Sequence, residues 1–356
     1  VKHVVNRIRE TARELFRRAS CALKGLRPEG DFVVRRGKKR RIIELAVTCV
    51  CVAVFIFSAV MLTRYAADYF RARQASEELR NMYYEATPTP SPSPSPTDVP
   101  VMETEAPPTE PPAVTEAVMR DVLGVVPAPT VSPAPGERLR DVRYPDNPHS
   151  LISPRFAKIR QQNEDIVGWL KIEGILDEAV VQRDNTYYLD RDWRGYHNEN
   201  GALFLEKTCG LITRPHTCMI FGHNMKTGLM FGRLRKYEDA AFYRKNAFVT
   251  FDSMYEDGHY VIFASAVVSL DAARPDYVDF AGLISPVISL RYASLRDLRE
   301  CSDFNCPIDV QPQDQLLVLV TCVGDDTQRR IVAARRLRDG ETEETLLPLV
   351  QQSTGR

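Results

Sequence analysis

Between Ile42 and Leu62 the chain runs for twenty-one residues with a single charge, Glu44, near its start. As a helix rising about 1.5 Å per residue, such a run spans the roughly 30 Å hydrocarbon core of a bilayer. Ahead of it, residues 1–41 carry fourteen Lys or Arg against four acidic residues and end in Arg35-Arg36-Gly-Lys38-Lys39-Arg40-Arg41. The formal net charge of zero therefore hides a basic N-terminal segment and an acidic remainder. A cationic flank beside a span stays on the cytoplasmic side. The expectation is a single-pass protein of the cell membrane, N-terminus inside and everything after Leu62 outside. A cleaved signal peptide fits poorly, since its apolar region is usually about 7–15 residues before a small-residue cleavage site. The basic arm sits against a span, so orientation explains it better than nucleic-acid binding.

Composition then divides the rest. Residues 63–86, rich in Arg, Glu, Ala and Tyr, read as a helical stalk. From Thr87 to Pro135 lie fourteen of the twenty-four prolines. A segment with so little apolar area cannot offset its ordering entropy. Residues 87–140 are therefore expected to be a disordered Pro/Ser/Thr-rich spacer, reaching on the order of 150 Å if drawn out as polyproline II. Residues 141–340 are long enough for one domain with a sizeable core, and 341–356 read as a C-terminal tail.

Within that domain the apolar runs are short and punctuated by Gly, Asn, Asp and Pro. They predict strands at Ile166–Ile172, Ala179–Gln182, Ala202–Leu205, Cys218–Phe221, Ala247–Phe251, His259–Val268, Leu316–Thr321 and Ile331–Leu337. Helical spacing predicts helices over Leu151–Glu164 and Tyr292–Cys301. Many short strands with few helices argue for a mainly β barrel decorated by helices and against a βαβ fold.

Three residue types that together carry acyl transfer stand near strand ends. Cys322 closes an apolar strand, Arg330 opens the next, and His223 follows Cys218–Phe221. A thiolate is a strong nucleophile, but a free thiol sits near pKa 8.5; an imidazole near 6.5 can take its proton or return one to a leaving amine. Arg330 directly precedes the apolar strand and is expected to be fixed in register, where a guanidinium stabilises a developing oxyanion; Arg329 is its adjacent alternative. His216 and His223 with Cys209 and Cys218 match no zinc spacing. No Gly-x-Ser-x-Gly elbow is present for a serine hydrolase. The chemistry needs neither metal nor organic cofactor.

The arrangement resembles a sortase of class B. Val318-Leu-Val-Thr-Cys322 is similar to the family's Thr-Leu-x-Thr-Cys and departs at its first position. Phe221-Gly-His-Asn-Met225 is similar to Tyr-Gly-His-Asn-Met, and Lys226-Thr-Gly-Leu-Met-Phe-Gly232 follows it. Asn163-Glu-Asp-Ile-Val-Gly-Trp169 matches Asn-x-Asp-x-x-Gly-Trp. Asp184-Asn-Thr-Tyr-Tyr-Leu-Asp190 and Gly201-Ala-Leu-Phe-Leu205 are further class B stretches. The resemblance covers about Leu151 to Leu337, in the family's order. It implies an eight-stranded barrel with N-terminal helices and a helix in the connection before the cysteine strand, here carried on a membrane-anchored proline-rich stalk.

The resemblance also implies a reaction. Cys322 attacks a Thr–X bond in the cell-wall sorting signal of a surface protein, forming a thioacyl enzyme that a peptidoglycan precursor or other amine acceptor resolves. His223 would be the acid and base and Arg330 the oxyanion partner, with Asn185, Leu189, Phe221, Val320 and Thr321 lining the substrate groove. Phe221 in place of tyrosine and Val320 in place of serine make that groove more apolar than usual. A pilin-polymerising enzyme and a non-catalytic wall-spanning scaffold are the alternative readings. Two near pairs of cysteines, Cys209 with Cys218 and Cys301 with Cys306, admit disulfides and leave Cys322 unpaired by count.

Overall fold

The structure, a computed structural model, describes residues 36–85, 136–324 and 327–356. The basic segment before residue 36 and the proline-rich spacer before residue 136 lie outside the described residues. The chain divides into two compact units, Val1–Ala66 and Ala67–Arg356. The described part of the first unit is the opening of helix α1, Arg36–Glu85. Apolar side chains cover it on all sides, with Phe55 74% and Leu62 69% exposed. Among the described residues it is the one helix long and apolar enough to cross a membrane.

The second unit begins with the last turns of α1, where the pattern changes. Ala72, Ala75, Leu79 and Tyr83 recur at three- and four-residue spacing and are buried, which gives one apolar stripe. Tyr83 stacks on Trp169 with ring centroids 4.3 Å apart, and its hydroxyl donates to Asp252 at 2.8 Å. Tyr84 and the Trp169 indole both donate to Asp177, at 3.0 and 2.7 Å.

The strands are β1 (Ile166–Ile172), β2 (Leu176–Val181), β3 (Leu203–Leu205), β4 (Thr217–Phe221), β5 (Phe248–Ser253), β6 (His259–Ser269), β7 (Phe304–Asn305), β8 (Leu316–Val323), β9 (Gln328–Arg336) and β10 (Thr354–Gly355). Eight of them close into a barrel in the order β1-β2-β3-β4-β8-β9-β6-β5, while β7 and β10 pair separately. Barrel neighbours run antiparallel except β2 with β3 and β4 with β8, which are parallel. The eight-stranded barrel expected from the sequence is present. Side chains alternate across its wall. Leu170, Val180, Leu203, Leu205 and Ile220 enter the barrel core, while Trp169, Ala179, Val181 and Phe204 form a second cluster with α1.

The helices differ more from expectation. Helix α2 is Pro154–Ile159, shorter than the predicted Leu151–Glu164. Pro154 suits the first turn of a helix, Ser150 before it has φ of 50°, and the Asn163 side chain accepts from Asp165 N to turn the chain into β1. Helix α3 is Ala240–Lys245, capped by Asp239. Helix α4, Ile288–Glu300, precedes the cysteine strand and starts four residues before the predicted Tyr292. It opens on β-branched Ile288 after β-branched Val287, with no side-chain cap, so the sequence understates its start. Residues 341–356 hold helix α5 (Glu343–Gln351), with a Thr342/Thr345 capping box, and β10; Leu346 and Val350 join the core. Cys209, Cys218, Cys301 and Cys306 are thiols, and the Cys306 sulfur meets the Tyr243 hydroxyl at 3.0 Å.

One buried side chain ties three segments together. Arg291 on α4 is fully buried. It donates to Pro312 O at 2.7 Å, to Thr217 Oγ1 at 2.6 Å, to Asp314 O at 2.9 Å, and also to Leu283 O. Burial pushes its pKa down to about 10, opposed by Asp314. Arg291→Met keeps the volume but leaves these carbonyls without a donor. It should lower stability by about 3 kcal/mol and the thermal midpoint by roughly 6–12 °C, as differential scanning calorimetry would record.

A second prediction concerns pH. Burial between β2 and α1 raises the Glu178 carboxyl to about 7, partly offset by a hydrogen bond with Ser76 and by Arg80. The folded state therefore holds this proton more tightly than the unfolded chain does. Its stabilising contribution is full below about pH 4.5 and is lost as pH rises to about 7. Thermal unfolding followed across that window should show a flatter pH profile for Glu178→Gln than for the unaltered protein.

Candidate active site

The site is built where β4 and β8 end side by side. Their parallel register pairs Thr217 with Leu316 and Phe221 with Val320, and Gly222 N continues it by donating to Val320 O at 3.3 Å. His223 follows directly, just past the end of β4 and on the side of Cys322. The link is held by Asn224, whose Nδ2 donates to Cys322 O at 3.0 Å. Gly222 is required at the exit of β4, because a Cβ there would meet Leu203 at 2.5 Å and Phe231 at 2.9 Å.

Cys322 and His223 are both half-buried. The imidazole Nε2 lies 2.7 Å from Leu189 O. A carbonyl only accepts, so Nε2 carries the hydrogen and Nδ1 is the nitrogen open to proton exchange. This contact gives Leu189 a role through its backbone; its side chain is 41% exposed.

The antiparallel register of β8 with β9 pairs Cys322 with Arg329 and Thr321 with Arg330. Cross-strand partners share a face and successive residues alternate. Cys322, Val320 and Arg329 therefore share the outer face, and Thr321 and Arg330 the opposite one. Arg330 is 3% exposed and donates to Ser265 Oγ at 3.0 Å, to Asp303 at 2.8 Å and to Glu238 at 2.5 Å. The register thus sets Arg329 rather than Arg330 level with Cys322, because one residue of register exchanges the two faces. Thr321 is likewise buried, and its hydroxyl has no hydrogen-bond partner among the described residues.

A groove of about 480 Å³ runs along the outer face beside β4. Met219 and Phe221 form its floor, and Phe280, Ile284 and Pro286, ahead of α4, form one wall. Asn185, Glu206 and Thr208 form the other. Asn185 and Phe221, named from the sequence as groove residues, line this cavity, and Val320, level with Phe221, is buried. Glu206 and the wall ahead of α4 were not singled out from sequence. Burial by itself would raise the Glu206 carboxyl, but hydrogen bonds from Thr208 and Asn185 outweigh it and hold the group below the usual range. Among the described residues no His, Cys, Asp or Glu cluster suits a metal.

No family model matches the chain. Sortase B of Staphylococcus aureus is 26% identical over 193 residues, covering 52% of this chain and 75% of that protein. Sortase B of Listeria monocytogenes is 25% identical over 202 residues, covering 55% and 76%. Among solved structures, a Bacillus anthracis protein described as similar to sortase B superposes with a TM-score of 0.52. That pair shares 20% identity and covers 76% of this chain and 97% of the other, a likeness of fold.

The two arginines should separate in stability measurements. Arg330→Met leaves Asp303 and Ser265 without their donor, and breaking such a buried pair costs about 3 kcal/mol. Arg329→Met on the half-buried outer face should cost about 0.5 kcal/mol or less. Urea unfolding of both variants would check this.

Proposed function

This chain is a homologue of sortase B built on the sortase barrel, and on that premise we propose that it is a membrane-anchored cysteine transpeptidase. Its α1 would hold it to the cytoplasmic membrane with the basic end inside and the barrel outside. Its substrates would be surface proteins bearing a cell-wall sorting signal, and its acceptor a peptidoglycan precursor or other wall amine. The observation that carries this reading is the register on both sides of β8. It supports a site in which His223 and Arg329 flank Cys322 on strands whose neighbours Met219 and Phe221 line the groove.

In the proposed reaction the Cys322 thiolate attacks the carbonyl carbon of a threonine held in the groove. The oxyanion that develops is met by Arg329, whose planar fork of donors suits it better than a point charge. His223 gives a proton from Nδ1 to the departing amine, leaving a thioester on Cys322. The acceptor amine then attacks the thioester, the imidazole takes its proton, and the new amide leaves with the thiolate restored. Arg330, which the sequence reading favoured for the oxyanion, instead supports β9 from the opposite face through Asp303 and Glu238.

Mass spectrometry of the acyl-enzyme and rates of peptide cleavage test the proposal. Cys322→Ala should abolish both the adduct and cleavage, and His223→Ala should reduce cleavage by about a hundredfold or more. Arg329→Lys keeps the charge and loses the fork, so turnover should fall at least about tenfold with an unchanged thermal midpoint. An adduct on another cysteine, or full activity in Cys322→Ala, would overturn the reading.

A further inference from the structure

The chain is tied to the barrel on both sides of the proline-rich segment. On the near side, the last turns of α1 lie on β1, β2 and β5. Ala75, Leu79 and Tyr83 are at most 2% exposed and cluster with Trp169, Ala179 and Val181. Arg155 stands 5.2 Å from the centroid of the Tyr83 ring that stacks on Trp169, and Asp252 holds its hydroxyl. Even the last residue of the helix is held, since Glu85 accepts from Lys158 Nζ at 3.1 Å. On the far side the chain is held from the first described residues onward. Leu139 N donates to Pro286 O at 2.8 Å, and Ile288 N donates to Glu137 O at 2.9 Å. Arg214 N donates to Val142 O at 2.9 Å, and the buried Tyr144 hydroxyl donates to Leu211 O at 2.8 Å.

Residues 86–135 therefore begin and end on the same folded unit. The covalent order is apolar run, α1, proline-rich segment, barrel. The order of contact is shorter, because the end of α1 meets the barrel directly. A connection whose two ends are already joined through a folded contact bears no load until that contact opens. Ala72, where the buried stripe begins, follows Leu62 by ten residues, which is at most about 35 Å of chain. The proline-rich segment, drawn out as polyproline II, could reach on the order of 150 Å. The shorter path decides how far the barrel can stand from the apolar run.

We propose that the contact of α1 with β1, β2 and β5, and not the proline-rich segment, holds the barrel at the membrane, so that the barrel stays attached when that segment is cut. In the intact chain the segment serves this contact by keeping its two halves at high effective concentration. Once it is cut, the buried stripe, the Tyr83–Trp169 stack and the bonds to Asp252 and Asp177 have to hold alone. This inference rests on the reading of α1 as a membrane anchor and adds the surface through which the anchor grips the barrel. The proline-rich segment is then a side arm of the barrel and sets no distance.

The test uses the whole chain in vesicles of phosphatidylcholine and phosphatidylglycerol, with a protease recognition sequence inserted after Glu105. Before the cut, the chain should float with the lipid in a density gradient and stay there in alkaline carbonate. After an externally added protease has cut it, as a gel confirms, the barrel fragment should still float. Leu79→Ala combined with Tyr83→Ala should lower the floating share of cut barrel at least about tenfold, since each removes a large buried side chain. Tyr83→Phe keeps the stack and should keep most of the cut barrel afloat. All these substitutions lie on the membrane fragment, so the freed barrel has its own sequence and its circular dichroism reads its fold directly. Loss of the barrel from the lipid on cutting the unaltered chain, or full retention of the cut barrel in the double variant, would overturn the inference and leave the anchor reading standing. An uncut chain that does not float, or that leaves the lipid in carbonate, would overturn both.

Discussion

Everything at the candidate site depends on the parallel pairing of β4 with β8. An antiparallel pair would bring the end of one strand beside the start of the other and separate His223 from Cys322 by the length of the sheet. Parallel pairing brings both C-terminal ends together, although ninety-eight residues of chain separate Asn224 from Cys322, whose contact ties them. The long connection that such pairing requires is not idle. It holds β5, β6 and α4, and the stretch just ahead of α4 returns to form one wall of the groove. The crossover that makes the site possible also supplies part of the groove beside it.

Strand β9 then divides its labour by alternation. Arg330 turns inward and meets Ser265, Asp303 and Glu238 with a side chain 4% exposed. Its neighbour Arg329 turns outward, level with Cys322. A buried guanidinium with two carboxylates is rigid because any rotation leaves charges unpaired in a poorly solvated place. That rigidity fixes the twist and register of β9 against β8, and so fixes where Arg329 stands relative to the thiol. The same tie gives the outer arginine a defined backbone, and its Nη1 donates to Gln328 O at 2.9 Å.

Much of this was legible in the residues, and the part that was not has a definite cause. Apolar runs located all eight barrel strands to within a few residues, since short β-branched stretches bounded by Gly, Asn and Asp have few other outcomes. The thiol and imidazole stood out as candidates because Cys322 lies near the end of one strand and His223 just past another. The choice between Arg329 and Arg330 was made on adjacency to the apolar run, and adjacency says nothing about face. Pairing symmetry does. Cys322 pairs with Arg329 and Val323 with Gln328, which centres the hairpin on residues 324–327. That stretch reads Gly-Asp-Asp-Thr, strong turn chemistry, and folding the sequence about it puts Arg329 opposite the cysteine. Glu206 was harder to find. It lines a groove together with Phe280, Ile284 and Pro286, some seventy residues away, a proximity that no local pattern announces.

Helix α1 poses the complementary case, in which one helix carries two surface patterns. Up to about residue 66 its apolar residues are distributed around the whole circumference, the pattern for a surrounding hydrocarbon phase. Beyond that point Ala72, Ala75, Leu79 and Tyr83 confine apolarity to one side, and Arg73 pairs with Glu77 at 2.9 Å on the exposed side. The small residues come first along the stripe and the ring last. A helix with alanines at a contact can approach a sheet closely, and the stacking of Tyr83 on Trp169 then sets its rotation. The Tyr83 hydroxyl bond to Asp252 requires that same rotation. Hydrophobic contact alone leaves a helix free to slide and turn on a sheet, whereas a stacked ring with a bonded hydroxyl admits one seating. The last turns of α1 are therefore a structural layer of the barrel, and the Trp169 that receives them stands on β1, the strand that closes the barrel against β5.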